Sequence, residues 1–162
     1  MEHKTKNKTR IAIRGFTLIE LVVVIAISVL LVLVTISFFS SFRDTQVLQG
    51  ETSQALSLLN KAQSYTLNSK SDSEYGVRIN GNQLILFKGL AFSSSSPGNE
   101  AYILHPAVAI ASTTLSSGGF DVIFDRLTGD TSNDGSFTVF VKARPEQKNV
   151  ISITKTGATA QN

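Results

Sequence analysis

The 162-residue chain contains no cysteine. Without thiols it has no disulfides, no structural thiolate metal site and no cysteine nucleophile. That leaves the compartment open, because an exported domain with an adequate core folds without disulfides. Histidine is nearly as scarce: His3 lies in the N-terminal tail and His105 stands before Pro106, a loop position. Serine is plentiful, but no Gly-x-Ser-x-Gly elbow holds one as a nucleophile. No phosphate-cradling glycine loop or dinucleotide fingerprint occurs either. These absences argue against an enzyme and imply no cofactor.

Basic charge is missing from most of the chain despite a pI near 9.3. Lys4, Lys6, Lys8, Arg10 and Arg14 oppose Glu2 alone in the first fifteen residues, so that tail carries +4. The whole chain is +3, which leaves −1 for residues 16–162. A body without net positive charge lacks the electrostatic footprint of a nucleic-acid binder and argues against DNA as a partner, although Lys142, Arg144 and Lys148 could form a local basic patch.

What the chain does have is one long apolar run. Residues 17–39 include a single charged side chain, Glu20. As a helix, that run spans roughly 34 Å, enough to cross a hydrocarbon core of about 30 Å. No later stretch approaches this length. Five cations beside the run predict a single-pass topology with the N-terminus in the cytoplasm and the rest outside. A basic tail and an apolar run also fit a secretory signal. The run is longer than the usual signal core, however, and Ser40, Ser41, Phe42, Arg43 and Asp44 after it offer no small-residue cleavage site. The better candidate for processing is Gly15-Phe16, where a residue without a side chain frees the backbone to extend into a protease cleft. An uncleaved signal anchor is the alternative.

The segment Arg14-Gly15-Phe16-Thr17-Leu18-Ile19-Glu20-Leu21 closely resembles the processing motif of type IV prepilins and type II secretion pseudopilins. The resemblance is close over residues 10–40 and is general architecture beyond. It implies that a prepilin peptidase cuts after Gly15 and methylates the new N-terminal Phe16. It also implies that Glu20, fifth residue of the mature chain, meets the α-amine of a neighbouring subunit during assembly. The implied partners are the peptidase, other pilin or pseudopilin subunits, an inner-membrane assembly platform and membrane lipid. The implied location is the inner (cytoplasmic) membrane, then a pilus or pseudopilus. A carboxylate within an apolar span costs about 2.5 to 3.5 kcal/mol at a helix centre and less near the interface, so a charge partner would offset a real penalty. A glutamate snorkelling to the interface is the other reading.

The remaining sequence reads as a helix followed by strands. Within 46–67 there is no proline, and Val47, Leu48, Ala55, Leu56, Leu59 and Ala62, with Tyr65 or Thr66, recur at helical spacing between polar residues. Gly50 reads as an ordinary tolerated glycine. The polar run 68–73 ends the helix. Then the period becomes two: 75–79 and 83–88 flank Asn80-Gly81-Asn82, a hairpin signal. Residues 93–98 read as an exposed loop, 102–104 and 108–111 as weak strands around Pro106, and 119–126 as a strand. Residues 128–135 read as a loop, 137–141 as a strand, 145–149 as a turn, 150–155 as a last strand, and the end as a frayed tail.

The expected organisation is a basic leader (1–15), a transmembrane helix segment (16–40), an amphipathic continuation (41–70) and a β-rich domain (71–162). The fold class is α+β: a helix of about 50 residues packed on an antiparallel sheet of five to seven short strands. This matches the architecture implied by the resemblance. The two-sheet H-type group (GspH/FimT) is favoured, because about 90 residues of strand follow the helix and no cysteine pair closes a C-terminal loop. Asp121 and Asp125 alternate along a strand and read as its solvated face. The 130–135 segment partly resembles a calcium loop, but its twelfth position is Val141 rather than glutamate, so it reads as a polar turn. Three functions remain in view: a structural assembly subunit (a minor pilin or pseudopilin); a DNA-uptake or adhesion subunit of the same architecture; and an unprocessed signal-anchored domain.

Overall fold

The computed structural model describes residues 15–162, and the side chains at 36–41 are not described. The basic tail and His3 therefore lie outside the described residues, as do all leader positions before Gly15. The chain divides into two units, one ending at Ser40 and the other Ser41–Asn162. Helix α1, Leu18–Leu67, is 50 residues long, the length expected. It runs through Gly50 without interruption, since one exposed glycine costs only about 1 kcal/mol in a long helix.

In the first unit, Leu18–Thr35 is long and apolar enough to cross a membrane, and none of it is buried by protein. Its hydroxyls are internally satisfied: Ser28 Oγ donates to the Val24 carbonyl (2.8 Å) and Thr35 Oγ1 to that of Leu31 (2.7 Å). Such bonds keep polar side chains compatible with an apolar medium.

In the second unit, α1 buries a stripe of Asp44, Leu48, Thr52, Ala55, Leu59, Ala62 and Thr66. The spacing of three or four residues places all seven on one face. Small residues let strand side chains approach closely, and fully burying Leu59 contributes about 1.5 to 3 kcal/mol. The two threonines do more than fill space. Thr52 Oγ1 donates to the Leu48 carbonyl and accepts from Asn149 Nδ2 (3.0 Å). Thr66 Oγ1 donates to the Ala62 carbonyl and accepts from the Tyr75 amide (3.0 Å), tying the helix end to the first strand. The helix stops where expected. Ser69, Ser71 and Asp72 adopt positive φ through a short 3-10 turn, Lys70–Asp72.

The strands are β1 (Tyr75–Asn80), β2 (Gln83–Lys88), β3 (Glu100–Ile103), β4 (Val108–Leu115), β5 (Asp121–Phe124), β6 (Gly135–Val141), β7 (Arg144–Ile153) and β8 (Thr159–Gln161). They form two four-stranded antiparallel sheets, ordered β3-β2-β1-β5 and β4-β6-β7-β8. The chain first changes sheet at His105-Pro106, where proline interrupts pairing. The hairpin forms with Asn80 paired to Gln83, so its loop is Gly81-Asn82 rather than three residues. Gly81 supplies the positive φ (56°) at the first loop position, as two-residue hairpins of type II′ require. Val77, Ile79, Leu84 and Leu86 of one sheet and Phe137, Val139, Ile151 and Ile153 of the other join the helix stripe in one core.

Three expectations need correction. Residues 145–149 are not a turn but part of β7. Val141 pairs with Arg144 while its neighbour Phe140 pairs with Lys148, so residues 145–147 bulge from the ladder. Pro145 has no N–H to donate, so the chain loops out there and pairing resumes beyond it. The C-terminal tail is not frayed: Gly157, at φ 73°, turns the chain back, and β8 pairs with β7. Asn162 and Val150 exchange both backbone hydrogen bonds (2.9 and 3.1 Å). Among the described residues the strand count is therefore eight, above the range expected.

Candidate functional site

Gly15, Phe16 and Thr17 precede α1 outside any helix or strand, and together with Glu20 they line an open depression of about 330 Å³. Thr17 caps the helix. Its carbonyl accepts the first helical bond, from the Leu21 amide (3.1 Å), and its hydroxyl accepts from the Glu20 amide (3.3 Å). Glu20 is thus the third helical residue of a Thr-x-x-Glu capping arrangement, placed at the positive end of the helix dipole. This supplies a local reason for a glutamate here, which the sequence reading overlooked although Thr17 was in plain view. Phe16 is 81% exposed, so the residue after Gly15 is free of contacts that would hide it.

The other sequence candidates fall into structural roles. His105 Nδ1 accepts from the Ala107 amide (3.1 Å) and shapes the crossover. Asp121 is not on a solvated face. Its side chain is 25% exposed and lies 3.5 Å from the Arg78 guanidinium. On the same face of the sheet, its partner Arg78 is covered by the 89–99 connection. Its Phe92 packs edge-on against Phe87, with ring centroids 5.6 Å apart, and sits under Arg78 at 4.6 Å, covering that side of the sheet. Burial raises the Asp121 pKa above the ordinary carboxylate value, and the Arg78 charge opposes this only in part. Asp125 remains exposed.

In the 130–135 loop, the Asp134 carboxylate accepts from Ser116 Oγ (2.8 Å), and Asn133 Nδ2 donates to the Asp121 carbonyl (2.7 Å). These groups pin the loop to the β4–β5 connection and to the start of β5. Among the described residues, no group of three or more His, Asp or Glu side chains is arranged to hold a metal ion. The basic patch is smaller than its sequence suggests: Arg144 lies 3.4 Å from the buried Asp44, leaving Lys142 and Lys148 exposed.

Polar ties between helix and strands were also missed. Tyr102 on β3 donates its hydroxyl to the Glu51 carboxylate (2.8 Å). Burial, then this bond and the Glu51 charge, push the Tyr102 pKa to about 12. Lys61 pairs with Glu100, also on β3, and this bond raises the lysine pKa.

This is a type IV pilin-like fold: a long N-terminal helix whose second half packs on antiparallel sheets. Among solved structures it is similar to the type IV minor pilin FimU of Pseudomonas aeruginosa strain PAO1, in two crystal forms. One matches at 15% identity and TM-score 0.55, over 71% of this chain and 92% of that one. The other matches at 14% identity and TM-score 0.56, over 75% and 92%. It is also similar to the minor pseudopilin EpsH from the type 2 secretion system of Vibrio cholerae, at 13% identity and TM-score 0.51, over 71% and 95%. No protein-family model and no curated protein sequence matches the chain.

Proposed function

We propose that the chain is the precursor of a structural subunit, a minor pilin or pseudopilin, of a type IV pilus or type II secretion pseudopilus. The carrying observation is the exposed Gly15-Phe16 junction directly ahead of a capped, apolar helix, on a chain with a pilin-like fold. Prepilin peptidase removes residues 1–15 and methylates Phe16. The basic tail stays cytoplasmic, and Ser41–Asn162 faces outward. The apolar helix leaves lipid to pack against other subunits on an inner-membrane assembly platform. The subunit performs no bond chemistry itself.

Within this reading Glu20 has two partners in succession. In the precursor it complements its own helix terminus. After cleavage, Phe16 gains an α-ammonium, and the same carboxylate meets that group on a neighbouring subunit, where low dielectric strengthens the attraction. The test is the intact mass and N-terminal sequence of the membrane-extracted protein, with and without prepilin peptidase. An N-terminus at Phe16 bearing one extra methyl is expected. An N-terminus unchanged by active peptidase would instead support a signal-anchored domain. Glu20→Val is expected to insert into the membrane normally but to be depleted from sheared fibres, and normal incorporation would remove Glu20 from assembly.

A further inference from the structure

The outer face of the β4-β6-β7-β8 sheet is not flat. It holds a groove of about 290 Å³ lined by Ala111, Ser112, Thr138, Phe140, Pro145 and Lys148. Two ladder defects flank it. On β4, the register breaks between Ala111 and Thr114, and Ser112 takes φ 50°, which a residue with a Cβ adopts at a cost. On β7, residues 145–147 bulge away from β6. Between the defects Thr138 and Phe140 of β6 form the floor, half-buried. Bulges bend strands and re-aim side chains, and backbone strain persists where the surrounding fold over-determines it. Here both deviations border the same concavity.

The charge of the groove selects an occupant. Lys148 is the only ionisable residue in its lining, and it is exposed, with no ion pair among the described residues. Lys142, in the turn between β6 and β7, is a second exposed cation. Arg144 is turned to Asp44. Glu146 lies on the bulge but does not line the groove. One cation beside a phenyl ring, a proline and two hydroxyls suits a carboxylate carried next to an apolar side chain. It does not suit a polyanionic backbone, which requires many cations.

We propose that this groove docks an acidic segment of a partner protein, with a carboxylate on Lys148 and a neighbouring apolar side chain on Phe140. The proposal does not depend on processing at Gly15. Its test uses the detergent-solubilised full chain and fluorescein-labelled serine-rich decapeptides bearing one leucine flanked by two glutamates, two glutamines or two lysines. Fluorescence anisotropy is expected to show the glutamate peptide binding about tenfold more tightly than the glutamine peptide, with the gap closing as salt rises. Lys148→Gln is expected to abolish the difference, and Lys148→Glu to reverse it towards the lysine peptide, both with unchanged circular dichroism. Equal binding of all three peptides, binding of none, or unaltered selectivity in both variants would overturn the proposal. So would a change of self-association in Lys148→Glu without peptide binding, which would assign the groove to a second copy of the chain.

Discussion

Between Leu18 and Thr35 every residue of α1 is exposed, and the least exposed of its large apolar side chains, Val23, is still 48% accessible. Between Asp44 and Thr66 the same helix buries a continuous stripe that includes an aspartate and two threonines. The first stretch has the more hydrophobic sequence and the less protein contact. The contrast shows that composition and burial are separate properties. On the proposed reading, the earlier stretch finds its apolar partner outside the protein, in lipid or in other helices. The later one meets its own strands and can therefore carry polar residues, provided each has a bonding partner.

The largest test of that contrast is a matched pair of leucine truncations. Leu59→Ala is expected to destabilise Ser41–Asn162 by about 2 to 5 kcal/mol, because the cavity cannot fully collapse among close-packed strands. Leu31→Ala removes as many atoms but is expected to leave the urea midpoint of that unit unchanged. Near-ultraviolet circular dichroism of the tyrosines, all of which lie in the second unit, reads both. Equal losses in the two variants would mean that the halves of α1 are not energetically separate.

Next comes Asp44→Ala. Its carboxylate, with a side chain only 12% exposed, faces Arg144, so removing it takes a charge partner from a partly buried guanidinium. A loss of about 1 to 3 kcal/mol is expected, largely insensitive to 0.5 M salt because partly buried charges are weakly screened. A loss that vanishes in salt would make this a surface pair.

Thr17→Ala turns to the exposed half. Losing the cap hydroxyl is expected to cost about 1 kcal/mol, felt only in the first turn. The Glu20 amide should exchange with solvent about fivefold faster in detergent, while the second unit melts as before.

Much of this was legible in the residues. Helix length, the hairpin and the helix-then-strands order follow from periodicity and turn chemistry, which are local. The Gly15-to-Glu20 string is local too. What escaped depended on partners distant in sequence. Asp44 and Thr52 continue the helical spacing, but a search for apolar residues passes over them, and their fit is explained only by Arg144 and Asn149 about a hundred positions away. Thr17 and Glu20 are the exception: the capping pattern was present and was read only as part of a processing motif. Pro145 signalled a break correctly, but whether a break becomes a turn or a bulge depends on the strand alongside.

Asp121 gives the smallest effect and the clearest sign. Its alternation with Val122 predicted a solvated carboxylate, but the 89–99 connection covers that side of the sheet. Burial raises its folded pKa, so the folded state binds the proton more tightly than the unfolded chain. The associated stability is fully present below the unfolded carboxylate pKa and is lost as pH rises through the higher folded value. At neutral pH the charge is therefore a net cost, only partly offset by Arg78. Asp121 Oδ1 also has no hydrogen-bond partner. Asp121→Asn keeps the shape and removes the charge. It is expected to change stability by less than about 1 kcal/mol at neutral pH, in the stabilising direction, and to remove the decline across the acidic carboxylate range. Urea midpoints for both proteins from pH 3 to 7 read this. A variant that is less stable at neutral pH and less sensitive to acid than the parent would show that Arg78 outweighs burial and that Asp121 is a stabilising ion-pair partner.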